Sequence, residues 1–242
     1  MYGTQLPRSP RGHVGSGLGK HPALGTHTIA LPTQIIDTTG QTLEIDGIRM
    51  EFQYAPETEA PAELTVFFPD LQAWCGAELV SRTMHNLYTL RGAQVRDALA
   101  WSGAIDEALR RFGPRTDVIF NSHHWPVWGE AESADFLTAQ RDVYKYIHDQ
   151  TLRLAAQGLG PDAIAEAITL PDRLADVFAV QGYYGTLKHN SRAVYQRYFG
   201  WYDGVPAHLD PLPRIEAAQR YVAAMGGVEG VNARARDALE AV

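Results

Sequence analysis

Four glutamates and three histidines hold most of the chemistry this sequence could perform. Glu57, Glu59 and Glu63 fall in PETEAPAEL, directly before the apolar run Leu64 to Phe68, and Glu78 falls in GAEL, just after Trp74-Cys75. His85 lies in SRTMHNLYTLRGAQ, beside Asn86 and ahead of Arg91, and His123 and His124 follow Val118-Ile119-Phe120 in NSHHWPVWG. Carboxylates and imidazoles mounted where strands end can converge on a cation, and a set without thiolates suits zinc or a similar divalent ion. An imidazole, an amide and a guanidinium close together suit an oxyanion such as sulfate, phosphate or carboxylate. Each pattern has an ordinary counterpart: solvated loop carboxylates, a hydrogen-bonded histidine at a strand end, a polar loop with a helix cap. Glu78 sits among Ala77, Leu79 and Val80, so its carboxylate needs either exposure by a turn or a partner. Alternation along a strand sends His123 and His124 to opposite faces, so only one of them can enter a given cleft.

Other motifs are weaker. GSGLGKH, Gly15 to His21, has the glycines and the lysine of a phosphate loop but not its context. No strand precedes it, His21 stands where Ser or Thr belongs, and Pro22 opposes a following helix, so it reads as a loop. His13, His21 and His27 are scattered through that loop. Tyr183, Tyr184, Tyr195, Tyr198 and Tyr202, with Phe199 and Trp201, could wall an apolar ligand tail or a partner surface, or simply pack a core. No serine has the context of a nucleophile elbow.

The elements that must position these groups change in kind along the chain. Residues 1 to 27 read as a long glycine-rich loop. Thr28 to Leu31 and Gln34 to Asp37 look strand-like, Thr42 to Ile45 and Gly47 to Gln53 look like a hairpin around Asp46-Gly47, and Leu64 to Phe68 is a dense apolar strand. A short strand around Trp74-Cys75 follows. Val95, Ala98, Leu99, Ser102, Ile105, Leu109 and Phe112 share one helical face, and Asp117 to Phe120 is a buried strand. After Gly129 the pattern is helical: Ser133 to Gln157, Pro161 to Ala167, Pro171 to Val180, Asn190 to Phe199, Pro211 or Pro213 to Met225, and Val231 to the end. The expected fold class is α/β followed by all-α, with residues 1–130 and 131–242 as the two domains.

Composition limits the function classes. The 242 residues are 45% hydrophobic and 10% aromatic, enough for a real core, and a net charge of −7 argues against a broad nucleic-acid surface. One cysteine, Cys75, excludes an intrachain disulfide and a cysteine-based zinc knuckle. No run approaches the roughly 20 apolar residues of a membrane span, and MYGTQLPRSPRG has no signal-peptide core, which leaves the compartment undetermined. The abrupt glycine-rich start suggests a piece of something longer.

Several stretches in order resemble the linear alkyl sulfatases of the metallo-β-lactamase superfamily. They are GTHTIALPTQIID, ETEAPAEL, TMHNLYTLRGAQVRDALAWSGAIDEAL, SHHWPVWG, QRDVYKYIHDQTLRLAAQGL, GYYGTLKHNSRAVYQRYFGWYDG and AAQRYVAAMGG. The resemblance implies a partial metallo-β-lactamase αβ/βα layer followed by a helical dimerisation domain, and hydrolysis of dodecyl sulfate and similar esters by a binuclear zinc site. It implies Glu59, Glu78 and His123 as zinc ligands, with Glu78 shared between the metals, His124 turned away, and Trp125 and Trp128 packing the strand end. Asn86 and Arg91 match residues that hold the sulfate, and a homodimer is implied. The family's remaining ligands come from an HxHxDH motif that these 242 residues lack, as they lack its sterol-carrier-like domain. The alternative is therefore a catalytically silent chain that only dimerises.

Overall fold

A computed structural model describes Ser9, Thr26 and residues 28–90 and 92–241. Arg91, the GSGLGKH loop, His13, His21 and His27 lie outside the described residues. The described chain divides into two compact units between Tyr198 and Phe199.

The first unit is built on a six-stranded sheet, in chain order β1 (Thr42–Ile45), β2 (Ile48–Tyr54), β3 (Leu64–Phe68), β4 (Ala73–Cys75), β5 (Val118–Phe120) and β6 (Val127–Trp128). Every neighbouring pair is antiparallel except β4 and β5. The β1–β2 hairpin turns at Asp46 (φ 51°) and Gly47 (φ 77°), the left-handed pair that a two-residue hairpin demands and Asp-Gly supplies. The strands expected at Thr28 to Leu31 and Gln34 to Asp37 do not form. Those residues have no ladder partner among the described residues, and Ile29 and Ile35 lie exposed. Apolar alternation makes a strand only where a neighbour accepts its backbone bonds.

Parallel pairing of β4 and β5 needs a long crossover, and this one contains α1 (Ala98–Arg111). Asp97 caps it by accepting hydrogen bonds from the Leu99 and Ala100 amides at 2.9 and 3.0 Å. Ala98, Trp101, Ser102, Ile105 and Ala108 form its buried stripe, at helical spacing. The stripe meets α2 (Glu130–Ala156), where Trp101 stacks on Tyr144 at 4.9 Å between centroids. On the sheet side, Phe67, Trp74 and Phe112 stack together. A buried polar chain crosses this layer: Trp74 Nε1 donates to Thr65 Oγ1, Thr65 to Gln53 Oε1, and Gln53 Nε2 to the Ala104 carbonyl at 2.7 Å. Each donor finds an acceptor, so the chain fixes sheet against helix without leaving a polar group bare.

The remaining helices of this unit are α3 (Pro161–Ala167), α4 (Asp172–Ala175) and α5 (Leu187–Phe199), the last running one residue past the division. The helix expected over Pro171 to Val180 is broken: α4 ends at Ala175 and a 3₁₀ turn covers Phe178–Val180. The second unit holds α6 (Pro206–Leu209), which the sequence reading did not anticipate, α7 (Arg214–Ala224) and α8 (Gly227–Glu240). Gly226 and Gly227, both at positive φ, turn α7 into α8. Ile215, Tyr221, Val228 and Leu239 of these helices are exposed. Among the described residues no helix is long and apolar enough to cross a membrane. A sheet followed by helices is the α/β then all-α order expected from the pattern.

Candidate metal and anion site

The parallel pair β4–β5 brings two distant residues together. Cys75 is opposite Phe120 in the register, and the chain leaves both strands at the same level. Glu78 and His123 each stand three residues beyond those ends. The Gly76 amide donates to the Phe120 carbonyl at 2.9 Å and the Ser122 amide to the Ala77 carbonyl at 2.9 Å, so the two loops stay zipped past the strands. A Cβ on Gly76 would lie 2.6 Å from Val80 Cγ2 and 2.7 Å from Asn121 Oδ1, which is why glycine stands at that crossing. His123 Nε2 then lies 3.2 Å from Glu78 Oε1.

His123 and His124 are not on a strand, since β5 stops at Phe120. His124 takes a left-handed backbone (φ 68°), so strand alternation does not set how the two rings, 6.4 Å apart between centroids, are directed. Trp125 and Trp128 do not pack the strand end either. Both are exposed, Trp125 lies beside Phe178, and Val127 fills the buried position between them.

A second imidazole reaches the same carboxylate. His85 is buried, and its Nε2 lies 3.6 Å from Glu78 Oε2. Its Nδ1 lies 3.0 Å from the Asn86 carbonyl, to which it donates in one tautomer, and 3.2 Å from Arg96 Nη1, from which it accepts in the other. The first tautomer leaves the Nε2 lone pair on the Glu78 side; the second points Nε2–H at the Glu78 carboxylate. Burial, before any charge effect, pulls the His85 pKa below its ordinary value and keeps the ring neutral, the form that binds metals. Glu78 therefore turns one oxygen to each of two imidazoles.

Glu59 completes the group. Donor atoms of Glu59, Glu78 and His85 lie within 4.8 Å of one another. A cation with bonds near 2.0–2.2 Å needs donors roughly 3–3.5 Å apart. The Glu78 spacing to His123, 3.2 Å, falls in that range and that to His85, 3.6 Å, just above it, and oxygen plus imidazole donors fit zinc or a similar ion. Glu59 is held by Arg96, whose Nη2 pairs with Glu59 Oε1 and whose Nε donates to the Glu59 carbonyl at 2.6 Å. The same guanidinium donates to Asn86 through its carbonyl at 2.9 Å and Oδ1 at 2.6 Å. A cavity of about 270 Å³ opens alongside, lined by Glu59, Gln94, Arg96 and Arg197 among others.

Glu63 backs the cluster. Its Oε1 accepts the Glu78 amide at 3.2 Å. Burial, with the Glu59 and Glu78 charges adding and the Glu78 amide opposing, raises its pKa to about 7 from 4.5. In the metal-free protein the folded state thus keeps a proton that the unfolded chain gives up between those values. Stability falls as pH rises across this window. Glu63→Gln should flatten that slope, adding roughly 2 kcal/mol at neutral pH once solvent screening is allowed for. Thermal unfolding with chelator at about pH 5 and about pH 7.5 measures it; an unaltered difference between the two temperatures would rule the assignment out.

The geometry thus gathers Glu59, Glu78 and His85, with His123 reaching the group through Glu78 and Asn86 through Arg96, while Arg91 lies outside the described residues. Sequence reading assigned no metal contact to His85, placed Glu63 only among loop carboxylates, and did not single out Arg96. No local pattern marks them: their roles follow from which loops the crossover stacks together.

Residues 160–242 match the family model for alkyl sulfatase dimerisation. A linear primary-alkylsulfatase from a Pseudomonas species is 47% identical over 237 residues, covering 98% of this chain and 35% of the relative. An alkyl/aryl-sulfatase of Saccharomyces cerevisiae is also 47% identical, over 97% of this chain and 36% of the relative. The solved structure of a stereoselective inverting sec-alkylsulfatase from a Pseudomonas species superposes with a TM-score of 0.86 at 41% identity, covering 99% of this chain. Over nearly its whole length the chain is similar to alkylsulfatases. It spans 35–38% of the length of these alkylsulfatase relatives. The dimerisation match begins within the first unit and runs through the second, so α3, α4 and α5 belong both to the matched region and to the unit that holds the site.

Proposed function

We propose that this chain carries part of a zinc site for hydrolysis of linear alkyl sulfate esters, dodecyl sulfate being the type substrate. Glu59, Glu78 and His123 are its zinc ligands, His85 is a fourth donor, and Glu78 is the carboxylate shared between two ions. One observation carries the reading: the Glu78 carboxylate lies between two imidazoles, 3.6 Å from His85 and 3.2 Å from His123. Bound zinc supplies Lewis acidity toward a sulfate oxygen and toward water. The chain's own residues bind and orient. Arg96 fixes the side-chain oxygen of Asn86, which aims the amide's donor end, and Arg91 with that amide holds the sulfate group. His85, neutral with Nδ1–H engaged, keeps Nε2 as a ligand atom. The apolar tail of the ester and a second copy of the chain are the partners, the latter through residues 160–242.

A second reading rests on the absence of HxHxDH from the 242 residues. A bridged pair of zinc ions uses more protein donors than the four named here, so the chain would dimerise and remain catalytically silent. Zinc titration followed by a sulfate-release assay on dodecyl sulfate separates the two. Stoichiometric uptake with sustained turnover supports the first. Uptake without turnover leaves the ligand set standing and supports the second. A chain that takes up no zinc has no such site.

A further inference from the structure

We infer that Asn190 is a positioning residue of this site, acting through the His85–Leu87 backbone, so that α5 serves the site as well as the dimerisation region that contains it. The inference rests on the proposed metal site for its meaning but on hydrogen bonds for its argument. The described residues between 81 and 97 hold no helix or strand, so the direction of the His85 and Asn86 side chains is set by what their backbone binds. Arg96 holds the Asn86 and Leu87 carbonyls, and the partners on the other side come from the helical half of the chain. The Asn190 side chain, 1% exposed, donates from Nδ2 to the His85 carbonyl at 2.8 Å and accepts the Leu87 amide on Oδ1 at 2.9 Å. One planar amide thus fixes the peptide groups on both sides of Asn86, as a neighbouring strand would. The His85 amide donates to the fully buried Tyr144 hydroxyl of α2 at 3.0 Å. Just before it, the Met84 amide donates to the Gln181 carbonyl at 3.1 Å and the Met84 carbonyl accepts the Gly185 amide at 2.8 Å.

The approach is close enough to exclude a side chain at Gly185: a Cβ there would lie 2.2 Å from the His85 carbonyl oxygen and 2.6 Å from the Asn86 amide. The loop before α5 and α5 itself therefore press directly on the two residues whose side chains face Glu78 and Arg96. Released from Asn190, the His85–Asn86 peptide could rotate. That rotation would turn Nε2 from Glu78, and the Asn86–Leu87 peptide, which loses the Asn190 acceptor at the Leu87 amide, would hold its carbonyl beside His85 Nδ1 through Arg96 alone.

Ser191 supplies the control. It follows Asn190 on the same helix and is equally buried, but its hydroxyl donates within α5, to the Lys188 carbonyl at 2.9 Å. Two readouts apply: zinc affinity by calorimetry, and the His85 ring-nitrogen shifts of the metal-free protein by NMR, which report the tautomer. Asn190→Ala should weaken zinc binding about 10- to 100-fold, the range for groups that orient a ligand. It should also shift the His85 tautomer balance from its wild-type value. Ser191→Ala should change neither, whatever it does to stability. Tyr144→Phe keeps the ring on Trp101 and removes only the acceptor for the His85 amide, so it tests the same clamp if Asn190→Ala does not fold. An unchanged His85 spectrum in whichever of the two variants folds overturns the inference, even if wild-type protein proves to take up no zinc. A wild-type chain without zinc uptake and with a shifted His85 spectrum in the variant would instead remove the proposed function and keep the clamp.

Discussion

Glu78→Ala is expected to abolish stoichiometric zinc uptake, with affinity falling roughly 100- to 1,000-fold. The figure follows from sharing a typical zinc binding free energy of about 10–16 kcal/mol among four donors, so that one donor accounts for about 2.5–4 kcal/mol. The loss should exceed that for Glu59→Ala or His123→Ala, because Glu78 alone faces both His85 and His123. The fold should survive. Glu78 is half-buried, its amide rather than its side chain binds Glu63, and the loops beside it are joined by backbone bonds at Gly76 and Ser122. Calorimetric titration with zinc, alongside circular dichroism, checks both statements. Wild-type affinity in Glu78→Ala would end the ligand assignment.

That hub was partly legible in the sequence. Glu78 stood out because a carboxylate among Ala77, Leu79 and Val80 needs a partner, and His123 because it follows a buried run. Both signals are local. Their meeting depends on the β4–β5 pairing, which is set by the crossover between them rather than by either stretch. His85 carried no comparable mark: it lies in an irregular segment whose shape comes from Tyr144, Gly185 and Asn190, about 60 to 105 residues away. The hairpin at Asp46-Gly47 and the start of α3 at Pro161 were legible for the opposite reason, since turn and first-turn chemistry act within a few residues. The single helix expected over Pro171 to Val180 failed because Gln181 turns back, its Nε2 donating to the Ala175 and Val177 carbonyls where the helix would have continued. A tertiary turn there outcompetes helical periodicity.

Arg96 gives the second large effect, and it separates structure from ligation. With side chains 11% and 17% exposed, Arg96 and Glu59 form a largely desolvated pair, and the guanidinium also lies 5.8 Å from the Trp101 ring. Glu63 and Glu78 are close by. Removing the positive charge leaves Glu59 beside two more carboxyl groups without a counter-charge, and breaking a buried pair from one side costs about 3–5 kcal/mol. Arg96→Met, which keeps much of the stem's packing, should therefore lower the unfolding temperature of the metal-free protein by roughly 6–20 °C, taking about 2–4 °C per kcal/mol for a chain of this size. Zinc should then stabilise the variant more than it stabilises wild type. In wild type the ion competes with the guanidinium for Glu59 Oε1; in the variant it meets a vacant carboxylate and supplies the missing charge. Thermal unfolding of both proteins, with chelator and with excess zinc, makes the comparison. Equal zinc-induced shifts in the two would mean that Arg96 and the cation do not share Glu59, which would place the metal on Glu78 and the histidines alone.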